Sequence, residues 1–238
     1  MSGRRGGGCT SVLSMLLVLG LVISMVVYLS PALDLGNVRR TVAADPMDGV
    51  PGSGGEGYSF MQVAGDGDPV TWGCEERIEV VVNPQGAPEG YAAMVESAVR
   101  QVNEASSFSF AVTGETEDRE FLDRGRGPVL IGWADEQEVP ELEGLTAGLG
   151  GATYVSGPGG AARAVGGMVV IDTESQGGGW FSRGIDQEVV LVHELIHVLG
   201  LGHTEQTDQL MAAENGGQDQ LGAGDLAGLA ALEDAACG

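Results

Sequence analysis

The apolar positions follow two different patterns along the chain. Residues 12–29 form one unbroken apolar run without a charge, whereas beyond residue 57 apolar positions recur with the periods of strands and helices. "RIEVVVN" (77–83) alternates and is β-branched, which predicts a strand. In "PEGYAAMVESAVRQVNEAS" (88–106), Tyr91, Met94, Val95, Ala98, Val99 and Val102 fall at helical spacing, with Pro88 and Glu89 suited to a helix start. Residues 108–112, 128–134, 151–157 and 167–173 predict further strands, the 151–157 strand at an edge. The polar stretch 113–127, the acidic stretch 134–144 and the Gly-rich stretches 157–167 and 176–180 predict loops. A helix is expected from about Ile185 to Leu199 with Asp186 as N-cap. A last helix is expected over 222–235, with Leu226, Leu229 and Leu232 on one side. This order of elements predicts an α+β domain, a mixed sheet packed against a few helices.

The run from Val12 to Leu29 would be about 27 Å long as a helix, close to a hydrocarbon core of roughly 30 Å. Arg4 and Arg5 precede it, which keeps the N-terminus in the cytoplasm and sends the remainder across. The expected organisation is a cytoplasmic N-terminus (1–11), a transmembrane signal-anchor helix (12–29), a flexible linker (30–57) and one exported domain (58–238). A cleaved signal peptide is the alternative, and it would make the domain secreted. The run exceeds the usual h-region of about 7–15 residues, and the small-x-small site "VAA" (42–44) lies well beyond it.

Charge narrows the partners. The formal net charge is −23, and all eleven basic residues are Arg. Four of them (Arg4, Arg5, Arg39, Arg40) lie near the membrane-directed segment, so the domain itself is strongly acidic. Such a surface repels nucleic acid and anionic lipid headgroups, and neither is expected as a partner of the domain. Export also frames the cysteines: Cys9 stays inside, while Cys74 and Cys237, 163 positions apart, could pair outside. A Cys74 thiolate serving as a metal cap is the rival reading, for which "TWGCEE" offers no specific support.

The chain's three histidines all lie in "HELIHVLGLGHT" (193–204). A buried helix with incidental polar residues is the plain reading. The spacing favours a metal site. His193 and His197, four apart, share one helix face, and imidazole is a good zinc ligand. Glu194 points about 100° away, within reach of the edge of such a site. Gly200 can end the helix with positive φ, so that the chain folds back and brings His203 to the same ion. Three imidazoles leave a fourth position for water, as in catalytic zinc sites, and Glu194 then suits the role of general base and acid.

The full H-E-x-x-H-x-x-G-x-x-H pattern is that of the metzincins. With Thr204 after the third histidine and "DQLM" (208–211) downstream, the sequence resembles the matrixins, as a prokaryotic, membrane-tethered member. The resemblance implies a twisted five-stranded mixed sheet, an active-site helix and a C-terminal helix. It implies one catalytic zinc, with Met211 in a tight turn beneath it. "LGAGDLAGLAAL" (221–232) is similar to the final matrixin helix, with Asp225, Gly228 and Leu229 at matching places. The edge strand near 151–157 would pair with extended substrate. The implied activity is zinc-dependent endopeptidase action on protein or peptide substrates; with the anchor read above the domain would act outside, and a monomer is expected although nothing in the sequence fixes the oligomeric state. The alternative is a catalytically silent surface protein that keeps the fold for binding. No histidines remain for a second, structural zinc. Calcium sites are possible, with Asp172 and Glu174 as oxygen donors, but are not legible. "LMAAEN" lacks the Tyr-Pro that commonly follows the methionine.

Overall fold

All six residues of the strand Val129–Ala134 are buried, which places it in the middle of a sheet covered on both faces. The structure, a computed structural model, describes residues 54–64, 67–144, 146–156, 162–173, 186–213 and 217–238. The strands are β1 (Gly54–Gly55), β2 (Tyr58–Phe60), β3 (Arg77–Val82), β4 (Ser109–Glu115), β5 (Val129–Ala134), β6 (Gly148–Ser156), β7 (Ala162–Asp172) and β8 (Leu201–Gly202). The helices are α1 (Tyr91–Ala105), α2 (Gln187–Leu199) and α3 (Ala223–Cys237). Five strands form the main sheet in the order β4-β3-β5-β7-β6. β3, β4, β5 and β7 run parallel, and β6 closes one edge antiparallel to β7. β1, β2 and β8 form a small separate sheet. The described residues thus form an α+β fold, with a five-stranded mixed sheet and three α-helices among them.

The larger core lies where α1 and α2 meet one face of this sheet. Val95, Ala98, Val99 and Val102 of α1 and Leu191, Leu195, Val198 and Leu199 of α2 pack there with Val80, Val129, Ile131 and Val169. The period-2 pattern of β3 and the helical spacing of α1 point their apolar positions at the same layer. Gly90, at φ 83°, delays the start of α1 to Tyr91. Asp186 caps α2 as expected, its side chain accepting the Glu188 N–H.

Several expectations need correction. β4 extends to Glu115 because its ladder with β3 continues past a bulge at Val80/Val81. β7 begins at Ala162, inside a stretch expected to be loop, and β6 begins at Gly148, three residues before the strand expected at 151. Their glycines mark close backbone approach rather than turns: a Cβ on Gly167 would sit 2.6 Å from the Gly151 carbonyl oxygen. The acidic stretch 134–144 is not merely a solvated face. It holds the short 3₁₀ turn Pro140–Leu142, and its Val139 and Leu142 pack with Phe121, Leu130 and Leu149 against the sheet's second face. On α3, Leu229 and Leu232 are buried but Leu226 is 45% exposed. Each step of three residues rotates the side chain by about 60°, so Leu226 falls at the rim of the buried stripe. Gly54–Gly55 pair with Tyr58–Ser59, so ordered strand begins within the stretch expected to be linker. The apolar run 12–29 lies outside the described residues; among those described, no helix is long and apolar enough to cross a membrane.

Candidate active site

α2 supplies two of the histidines on consecutive turns and then stops. Gly200 takes φ 120°, and its N–H bonds the carbonyls of Ile196 and His197. A Cβ here would lie 2.9 Å from the Val70 carbonyl oxygen, so both conformation and space demand glycine. The chain turns through β8 and returns His203 to the pair. Nε2 of His203 lies 3.1 Å from Nε2 of His193 and 3.1 Å from Nε2 of His197.

The outer ring nitrogens decide the tautomers. His193 Nδ1 is 2.9 Å from the Leu210 carbonyl, and His197 Nδ1 is 2.7 Å from the Leu201 carbonyl. A carbonyl can only accept, so both Nδ1 atoms carry the proton and both Nε2 atoms present bare lone pairs. Those lone pairs converge on His203. With the His203 Nε2 lone pair also turned inward, the three would face one another across a site for a cation. The spacing suits one, since ligands at about 2.0–2.1 Å from a tetrahedral zinc stand about 3.3 Å apart. The donor set therefore fits a zinc ion. Burial, reinforced by the neighbouring His203, pushes His193 down to about 4. Burial and both neighbouring imidazoles hold His197 well below the usual histidine range. Both rings are thus neutral, the ligating form, at physiological pH.

Glu194 lies between the two helical histidines in sequence and is 6% exposed. Burial pushes its carboxyl up to about 8. It packs directly on the edge strand: a Cβ on Gly150 would lie 2.3 Å from the Glu194 carbonyl oxygen, and one on Gly148 would lie 3.1 Å from Glu194 Cγ. The glycines of β6 thus let strand and helix touch at the acid.

Met211 is 1% exposed and belongs to a tight turn. Its carbonyl accepts the Thr204 N–H at 2.9 Å, next to His203, while the preceding carbonyl, of Leu210, serves His193. The turn thereby links two of the histidines through its backbone. Asp225, on the first turn of α3, fixes the turn in place. It is fully buried and accepts N–H groups from Leu210 (2.7 Å), Met211 (3.2 Å) and Gly222 (2.8 Å). Gln209 completes the joint, its side-chain oxygen accepting the Gly224 N–H at 2.7 Å.

Cys74 and Cys237 are joined by a disulfide, which ties the segment before β3 to the end of α3. The structure thus brings together His193, Glu194, His197, Gly200, His203 and Met211, while the disulfide sits apart from them. Supporting residues in the segment before β3, namely Ser59, Thr71 and Trp72, carry no local sequence signal. Their hydrogen bonds reach 126 to 144 positions along the chain.

Three imidazoles converging on one point, with Glu194 next to the first of them in the chain, on an α+β scaffold, suit a metal-dependent hydrolase of the zinc-metallopeptidase class. The matrixin family model matches residues 84–232, most of the domain and more than half of the chain. The chain belongs to the matrixins, a peptidase family. Comparison with curated proteins finds no match.

Proposed function

We propose that this chain is a zinc-dependent endopeptidase acting outside the cytoplasm. The observation that carries the reading is the pair of Nδ1–H donors that leave two bare Nε2 atoms facing Nε2 of His203. His193, His197 and His203 would hold the zinc. When bound, zinc acidifies a water and polarises the scissile carbonyl.

The protein's own residues do the remainder. A cation beside the buried Glu194 favours its carboxylate form, which can accept a proton from the attacking water. The same group, now protonated, can pass that proton to the departing amine nitrogen. Among the described residues β6 has a strand neighbour on one side only, so its free edge can take an extended peptide into the ladder. That geometry suits internal peptide bonds of protein or peptide substrates.

The Cys74–Cys237 disulfide supports export, because such bonds persist in oxidising compartments. We take the apolar run 12–29 as a signal anchor that tethers the domain through the residues between it and β1, with secretion after cleavage as the other route.

The test is metal analysis joined to peptide-library digestion of the full chain, wild type beside Glu194→Gln. One zinc per chain with cleavage lost in the variant is the expected result. Full cleavage by Glu194→Gln would overturn the mechanism. One zinc with no cleavage by wild type at any pH would favour a binding protein instead.

A further inference from the structure

Residues 58–72 precede the main sheet and lie upstream of the family match, which begins at 84. They contribute no group to the acid–base chemistry. They nevertheless engage the backbone that carries the zinc ligands, one carbonyl after another. Trp72 Nε1 donates to the Val198 carbonyl at 2.8 Å, and Thr71 Oγ1 donates to the Leu199 carbonyl at 2.7 Å. The Met61 N–H donates to the Gly200 carbonyl at 2.8 Å. β2 then pairs with β8, Phe60 against Leu201 and Ser59 against Gly202. Finally, Ser59 Oγ donates to the His203 carbonyl at 2.6 Å.

The end of α2 needs such partners. The last carbonyls of a helix have no intrahelical donor, and α2 ends in the interior, where water cannot supply one. The segment therefore caps the helix and, through the same strand, holds the loop that follows. This matters most at His203. His193 and His197 are anchored on a rigid helix, and each is oriented by its own Nδ1–H bond. His203 stands on an exposed loop position beyond the helix, and its backbone is held by the Ser59 hydroxyl at 2.6 Å.

We infer that residues 58–72 are a strap that positions the third zinc ligand, with Ser59 as its positioning residue. The inference rests on the zinc reading above. Losing one hydrogen bond to a ligand's backbone leaves a site whose third donor is loosely held, which lowers metal affinity more than it lowers folding stability.

Chelator competition for zinc on the full chain tests this, with wild type, Ser59→Ala, Ser59→Thr and Trp72→Phe compared. Thermal melting of each metal-free protein accompanies it. Ser59→Ala is expected to weaken zinc binding by about three- to tenfold while the metal-free melting temperature stays put. Ser59→Thr, which keeps the hydroxyl, is expected to restore most of that affinity. Trp72→Phe, which removes the donor to Val198, is expected to weaken zinc in the same direction. Unchanged zinc affinity in Ser59→Ala overturns the inference. So does a loss that Ser59→Thr fails to rescue, or one matched by a fall in metal-free stability, since either marks a merely structural residue. A wild-type chain that binds no zinc overturns the functional reading itself, and the inference with it.

Discussion

The carboxylate of Asp225 accepts the backbone N–H of Leu210 at 2.7 Å. The carbonyl of that same Leu210 receives His193 Nδ1–H, so one residue transmits the position of α3 to the first ligand on α2. Asp225→Ala leaves the N–H groups of Leu210, Met211 and Gly222 without this acceptor in a buried site. The expected cost is about 2–5 kcal/mol of folding stability, with weaker zinc binding. Denaturant melts and zinc titration of the variant check both.

Glu194→Gln keeps the size of the side chain and removes its basicity. Cleavage is expected to fall by about 10²- to 10⁴-fold, the usual contribution of a general base, with zinc content unchanged. Steady-state kinetics on a peptide found by library digestion, together with metal analysis, measure the two separately.

The pH dependence of the metal-free protein follows from the same buried groups. His193 is lowered from about 6.5 to about 4, and His197 is also lowered. Their contribution to stability is full above the unfolded histidine range and is lost as pH falls towards 4. Glu194 is raised from about 4.5 to about 8, so its contribution is full below the ordinary carboxylate range and is lost as pH rises towards 8. Two groups fading in acid and one in alkali put the maximum at about pH 6 to 6.5. Thermal melts of the chelator-treated chain across pH 4–9 should show this maximum, and Glu194→Gln should abolish the alkaline decline.

Gly150→Ala drives a methyl to 2.3 Å from the Glu194 carbonyl oxygen, a contact that only movement of β6 or α2 can relieve. A cost of about 1–3 kcal/mol in stability is expected, with a fall in kcat from the displaced acid. Gly148→Ala meets side-chain atoms of Val190 and Glu194 at 2.8 and 3.1 Å, and its nearest backbone atom, the Val170 carbonyl oxygen, is 3.1 Å away rather than 2.3 Å, so a milder loss is expected. Kinetics and melts of the two variants should rank them in that order.

Reducing the Cys74–Cys237 bond frees a closure of 163 residues. In the chain-entropy model this removes up to about 5 kcal/mol. The paired variant Cys74→Ser, Cys237→Ser should melt well below wild type and should no longer respond to reductant.

What could be read from the sequence was what repeats or clusters locally. His193 and His197 sit four apart, and the glycine that ends their helix sits three further on, so ligands and turn were visible together. β3 and α1 carried their periods plainly. Gly166, within the stretch expected to be loop, misled, because close backbone approach and loop flexibility use the same residue. Thr71, Trp72 and Ser59 were illegible for a different reason. Each bonds a backbone carbonyl, and a carbonyl leaves no mark on residue identity. Asp225 stood out only by its resemblance to a family helix, since two of the three N–H groups it accepts, those of Leu210 and Met211, lie 15 and 14 positions back along the chain.

The strap also bears on the order in which the molecule can assemble. Ser59 reaches the His203 carbonyl across 144 positions, a closure whose chain entropy costs about 4 kcal/mol by itself. Contacts of that span come late, after the local helix and strands have formed. A chain emerging N-terminus first has made Ser59 long before it makes His203, and must wait for it. The complete ligand cage therefore waits until the last-made of its ligands meets the first-made of its supports. A hydrolase built this way gains its cutting centre only when that contact closes.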